Sequence, residues 1–142
     1  MPLLDAAGTI SALKKLEMSF NELTGRLPEF LDLVSLQTLS LQVNSFTGPL
    51  PQEIPPDLNF INFRGNMLDG TIPLAILKNE LIRLDLRRNM LTGSLGGLFD
   101  DFAVISHLSS TFTYLALDNN YLEGTVCLMI LIQCILFILF RD

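Results

Sequence analysis

Apolar and polar residues alternate over five short stretches: Leu16-Glu17-Met18, Leu39-Ser40-Leu41, Ile61-Asn62-Phe63, Leu84-Asp85-Leu86 and Leu115-Ala116-Leu117. A period of two is strand spacing, and a bundle of leucine-rich helices would need 3.6. Each stretch therefore predicts a short strand with one buried face. The surroundings recur as well. Residues 13–28 read LKKLEMSFNELTGRLP, 36–51 LQTLSLQVNSFTGPLP, 58–73 LNFINFRGNMLDGTIP, 81–96 LIRLDLRRNMLTGSLG and 112–127 FTYLALDNNYLEGTVC. The asparagines Asn21, Asn44, Asn66, Asn89 and Asn120 are separated by 23, 22, 23 and 31 residues. Four units are thus in register, and the fifth follows an insertion.

Each unit fits L-x-x-L-x-L-x-x-N-x-L-x-G-x-L-P, which resembles the leucine-rich repeat. The ending N-x-L-x-G-x-I-P resembles the plant-type subclass found in receptor-like kinase ectodomains, receptor-like proteins and polygalacturonase inhibitors. The resemblance implies an α/β solenoid, a right-handed superhelix with a short parallel sheet on its concave side and loops or 3-10 turns on its convex side. In such a stack the strand leucines are buried only when a neighbouring turn covers them, so no turn folds alone. By the same resemblance Asn21, Asn44, Asn66, Asn89 and Asn120 form a structural ladder, their amides bonding backbone groups where the chain leaves the strand. Gly25, Gly48, Gly70, Gly93 and Gly124 are expected to give the following turn its backbone freedom. Pro28, Pro51 and Pro73 then end the second extended piece and lead to the convex side.

The chain divides into a partial leading segment (1–12), five repeats with an insertion at 94–111 (13–127) and an apolar tail (128–142). The insertion could hold a short helix capped by Asp100 or Asp101. Neither end shows the cysteine-containing caps of plant-type ectodomains, so the array reads as truncated. No secretory leader is visible in MPLLDAAGTISALKK. The run VCLMILIQCILFILF is interrupted only by Gln133, yet as a helix it reaches roughly 22 Å, short of a hydrocarbon core of roughly 30 Å. Three readings stay open: a short membrane anchor through residues 126–140, a helix packed over the last repeat, or translation beyond a true exon.

Composition narrows the function. Leucine makes up roughly a fifth of the chain, about twice the usual share, as a repeated buried slot requires. Fifteen acidic against nine basic residues give a net charge of −6, which argues against nucleic acid as a partner. Cys127 and Cys134 lack metal-site spacing, His107 stands alone, and Gly93–Gly97 lacks the lysine of a phosphate loop. No metal, cofactor or catalytic residue is expected. There is no N-x-S/T sequon and no kinase signature.

The strand residues between the buried leucines would form the concave face. By phase its columns are Lys15, Thr38, Phe60, Arg83, Tyr114; then Glu17, Ser40, Asn62, Asp85, Ala116; then Ser19, Gln42, Arg64, Arg87, Asp118; with Phe20, Val43, Gly65, Arg88 and Asn119 at the edge. Five of nine bases and three of fifteen acids fall there, so the face is positive by two and the rest of the chain negative by eight. This predicts a protein or peptide partner, with a co-receptor as one candidate, that carries an acidic or carboxylate group. Phe60 and Tyr114 would be aromatic anchors, Arg64, Arg83, Arg87 and Arg88 bidentate donors, and Lys15 a further cation. A simply solvated polar face is the competing reading. Charge reversal at Arg87 and Arg88 is expected to abolish capture. The sequence thus reads as a non-catalytic binding module resembling a receptor ectodomain, at the membrane or cell surface. A soluble inhibitor-type binder and a non-functional receptor fragment are the alternatives.

Overall fold

A computed structural model describes residues 12–77, 80–94, 96 and 113–124. Each turn carries two short strands. They are β1 (Lys15–Glu17) and β2 (Thr24–Arg26), β3 (Thr38–Ser40) and β4 (Ser45–Pro49), β5 (Phe60–Asn62) and β6 (Met67–Asp69), β7 (Arg83–Asp85) and β8 (Thr92–Ser94), and β9 (Tyr114–Ala116) and β10 (Tyr121–Glu123). One helical turn, α1 (Leu74–Leu77), follows β6. The odd-numbered strands form a five-stranded parallel sheet in the order β1-β3-β5-β7-β9. The molecule is an α/β solenoid with little helix.

Pairing in this main sheet joins equal positions of successive turns. Leu16 lies opposite Leu39, Leu39 opposite Ile61, Ile61 opposite Leu84, and Leu84 opposite Leu115. Leu39, Leu84 and Leu115 are fully buried, as are Leu36, Leu58, Leu68 and Leu81 from other positions of the repeat. Each such side chain contributes roughly 1.5–3 kcal/mol, and it does so only because the adjacent turn supplies the other wall of its slot.

The even-numbered strands build a flank that the sequence announced only as a second extended piece. They make a three-stranded sheet, β2-β4-β6, and a two-stranded one, β8-β10. The N–H groups of Met90 and Thr92 donate to the carbonyls of Leu68 and Gly70, both at 2.8 Å, which continues the ladder from β6 to β8. The register differs from that of the main sheet. Thr24 pairs with Ser45, Thr47 with Met67 and Thr92 with Tyr121, so the third residue after one asparagine opposes the first residue after the next.

Behind the sheets the chain returns through tight turns. The N–H groups of Leu33, Leu36, Leu58 and Ile76 donate to the carbonyls three residues earlier, which is 3-10 spacing. The five repeat glycines have φ between 71° and 105°, a range closed to most side chains. A second corner with positive φ comes just before each ladder asparagine, at Phe20, Val43, Gly65, Arg88 and Asn119. Three of these five are residues that avoid the left-handed region. They are held there by bonds to the next turn: Phe20 N–H to Gln42 O, Val43 N–H to Arg64 O and Arg88 N–H to Asp118 O, at 2.8–3.1 Å.

Beyond Ser94 and Gly96 the 94–111 insertion, with His107 and the Asp100–Asp101 pair, lies outside the described residues. So do the leading segment through residue 11 and the tail with its two cysteines and its 126–140 stretch. Among the described residues no helix is long and apolar enough to cross a membrane.

Candidate functional site on the main sheet

The ladder asparagines fix the edge of the open face. Asn66 Nδ2 donates to Phe63 O in its own turn (2.9 Å) and to Leu41 O in the preceding one (3.1 Å), while its Oδ1 accepts the Phe46 N–H (3.1 Å). Asn89 repeats the pattern with Leu86 O, Phe63 O and the Leu68 N–H. Asn44 and Asn120 do the same with the turns before them. Among the described residues Asn21 makes the local half, donating to Met18 O and Ser19 O. One amide thus satisfies three backbone groups left over where the strand ends, two of them in another turn.

Within this frame the predicted site residues separate into groups. Phe60, Arg83 and Tyr114 stand in one row, in register across β5, β7 and β9. The Arg83 guanidinium carbon lies 5.5 Å from the Phe60 ring centre and 4.7 Å from that of Tyr114. These are cation–π distances. Arg87 adds a third contact, 5.9 Å from the Tyr114 ring.

Arg87 is not an idle donor. Its Nε reaches Asp85 Oδ1 at 2.9 Å and its Nη2 reaches Asp85 Oδ2 at 2.6 Å, a two-pronged pair, and its N–H also donates to Oδ1. Hydrogen bonding to Asp85 holds the Arg87 guanidinium above its already high ordinary pKa. Asp118 stands beside the pair, its Oδ1 3.9 Å from Arg87 Nε and otherwise without a hydrogen-bond partner among the described residues. Burial, with Asp85 close by, pushes the Tyr114 hydroxyl up from its ordinary value.

The other cations are distributed differently. Lys15 closes on Glu17 at 2.6 Å on the exposed surface of β1. Arg64 shares a column with Gln42 and Arg87, and Arg88 sits exposed at the left-handed corner, φ 55°. Neither Arg64, Arg83 nor Arg88 makes an ion pair among the described residues. The expected positive face therefore narrows from five cations to these three, because Arg87 and Lys15 are already matched by acids on their own strands.

Two further features escaped the sequence reading. The central column is partly sunk: Ser40, Asp85 and Ala116 are buried although they face away from the leucines. Beside it lies a polar mesh, with Ser19 Oγ 2.8 Å from Ser40 Oγ and Asn62 Nδ2 donating to Gln42 Oε1 at 2.9 Å. A shallow hollow of about 360 Å³ opens there, bounded by Lys15, Glu17, Thr38, Ser40, Gln42 and Asn62, with Phe60 as its far wall. The spacing Arg83-x-Asp85-x-Arg87 was the available signal, since residues two apart on a strand share a face.

The stacked turns with their asparagine ladder agree with comparisons against known proteins. The family model described as Leucine Rich Repeat matches residues 12–33 and 35–56. The chain carries leucine-rich repeats. It is similar to Receptor-like protein 35 of Arabidopsis thaliana, 37% identical over 81 residues, which is 54% of this chain and 8% of that protein. It is also similar to Pollen receptor-like kinase 2 of Arabidopsis thaliana, 29% identical over 127 residues, 87% of this chain and 18% of the kinase. The leucine-rich repeat chain thus spans less than a fifth of either relative. Among solved structures it is similar to the ectodomain of the Arabidopsis receptor kinase HAESA in complex with an IDA peptide hormone, TM-score 0.76 and 28% identity over 92% of this chain and 22% of that one. The plant peptide hormone receptor RGFR1 in complex with RGF2 gives 0.75 and 27% over 93% and 21%.

Proposed function

We propose that this leucine-rich repeat protein is a non-catalytic recognition module that takes a peptide or protein segment bearing a carboxylate onto the open face of its main sheet. The observation that carries the reading is the row Phe60–Arg83–Tyr114. It offers two ring faces and an unmatched cation on a scaffold whose strands are fixed in register. Rigid placement lowers the cost of ordering the binding surface. Aromatic and arginine side chains are the types that dominate binding energy at interfaces. The likeness to receptor ectodomains solved with peptide hormones supports a peptide as ligand and a place at the cell surface.

The reading is tested by panning the immobilised full chain against a library of random heptapeptides, in parallel with an Arg64→Glu/Arg83→Glu variant. Enrichment of acidic peptides that the variant releases is the expected result. No enrichment, or peptides held equally by both proteins, would rule the open face out.

A further inference from the structure

The hollow between β1, β3 and β5 is chemically unlike the arginine row beside it. Its lining carries two charges, and these cancel, with Lys15 Nζ 2.6 Å from Glu17 Oε2. The rest of the rim is made of neutral polar side chains held in register, Thr38 beside Phe60 and Ser40 beside Asn62. Several of their hydrogen-bonding atoms are unspent. Gln42 Oε1 accepts from Asn62 Nδ2, which leaves both Gln42 Nε2 hydrogens and the second Asn62 Nδ2 hydrogen without a partner among the described residues. The Thr38 hydroxyl makes no hydrogen bond there either, and the Ser19–Ser40 pair uses one of its two hydroxyl protons and keeps the other spare.

Phe60 supplies the apolar wall. Arg83 stands over one side of its ring, 5.5 Å from the centre, and the hollow meets the ring from the side of β3. A ring braced in this way presents a flat face of fixed position, whose negative quadrupole attracts C–H bonds. The hollow's volume, about 360 Å³, is at the small end of the roughly 300–1,000 Å³ of small-molecule sites, so it takes a single ring and not a folded segment.

We propose that this hollow binds a neutral pyranose, its ring laid on Phe60 and its hydroxyls bonded to Thr38, Gln42 and Asn62. A pyranose with equatorial hydroxyls carries C–H bonds on its faces and groups that both donate and accept around its rim, which is the distribution the hollow mirrors. A carboxylate-bearing peptide finds no unmatched cation here. An aromatic ligand would stack on Phe60 and leave the donors of the rim unpaired, which costs binding energy. The proposal does not rest on the peptide reading above. The hollow lies on the β3 side of Phe60 and Arg83 on the other, so either reading can fail alone.

The test follows the Gln42 and Asn62 side-chain amide signals of the 15N-labelled full chain during titration at constant ionic strength. The probes are methyl β-D-glucopyranoside, with an unbroken C–H face, methyl α-D-mannopyranoside, with an axial substituent on each face, and sodium methyl β-D-glucuronide, which adds a negative charge. Both amide signals should move saturably with the glucoside, and the axial C–H protons on one face of the sugar should shift upfield over the Phe60 ring. The mannoside should bind several-fold more weakly, and the glucuronide no more tightly than the glucoside. Phe60→Leu should weaken glucoside binding about tenfold while Phe60→Tyr keeps it, and Thr38→Val, similar in shape, should weaken it about threefold. The backbone amide spectrum of each variant reports that it is folded. No saturable shift with the glucoside, equal binding of the mannoside, tighter binding of the glucuronide, or undiminished binding by Phe60→Leu would overturn the proposal. Movement of the two amides with acidic library peptides but not with the glucoside would overturn it too, and would leave the open-face reading standing. Glucoside binding together with an empty peptide screen would support the proposal and sink the peptide reading.

Discussion

The first described turn and the third and fourth turns carry the same consensus residues and use them differently. Asn21 is exposed and bonds two carbonyls of its own turn, whereas Asn66 and Asn89 are buried and join two turns through three and four bonds respectively. Leu16 is half-buried and lines an apolar hollow of about 470 Å³ with Leu23, Phe30 and Phe46, whereas Leu84 is fully enclosed. A consensus position in a solenoid has no fixed energetic worth. Its value is set by how many neighbouring turns reach it, which is why stability in such molecules is a property of interfaces between turns.

Paired substitutions, read as shifts in urea midpoint, test this contrast. The largest gap is expected between Leu84→Ala, which should cost about 2–5 kcal/mol by emptying a closed slot, and Leu16→Ala, which should cost about 1 kcal/mol. Equal losses would mean that the two turns are packed alike. Asn66→Leu comes next. It strands the Phe46 N–H and removes one of the two amides that donate to each of the Leu41 and Phe63 carbonyls, and should cost about 1–3 kcal/mol, against about 0.5 kcal/mol or less for Asn21→Leu. The smallest effect is a gain. Val43 is a β-branched residue at φ 54° where the next turn has Gly65 at φ 68°, so Val43→Asn should raise stability by about 0.5–1 kcal/mol. A loss there would show that the valine's contact with Gly65 outweighs its backbone strain.

Much of this architecture was legible before any coordinates. The period of two placed all five strands of the main sheet, and the fixed offset from strand to asparagine to glycine placed both ladder and turn. These features depend on backbone geometry, which a repeated sequence declares plainly. The flank sheet was harder to see. Segments such as Thr24-Gly25-Arg26 and Thr92-Gly93-Ser94 contain glycine and lack alternating apolar residues, and they are strands only because the neighbouring turn offers hydrogen-bonding partners. The left-handed corners at Phe20, Val43 and Arg88 contradict local propensity for the same reason. At the site, the sequence brought Phe60, Arg83, Arg87 and Tyr114 to one face. It did not reveal that Asp85 takes Arg87 out of service, since that follows from rotamers and from the sinking of the central column.

The flank's offset register bears on how such a chain can change length over evolution. Its displacement is two residues per turn, an even number, so a side chain that faces outward in one coil is followed by one that faces outward in the next. A displacement of one would turn the whole row inside out. Ten positions separate Lys15 from Gly25, Thr38 from Gly48, Phe60 from Gly70, Arg83 from Gly93 and Tyr114 from Gly124, so the block that sets both registers never varies. All the slack lies on the return path. Whole-coil duplications and insertions along the back are compatible with this plan, whereas deleting a single codon between asparagine and glycine would push the flank out of phase with its neighbours.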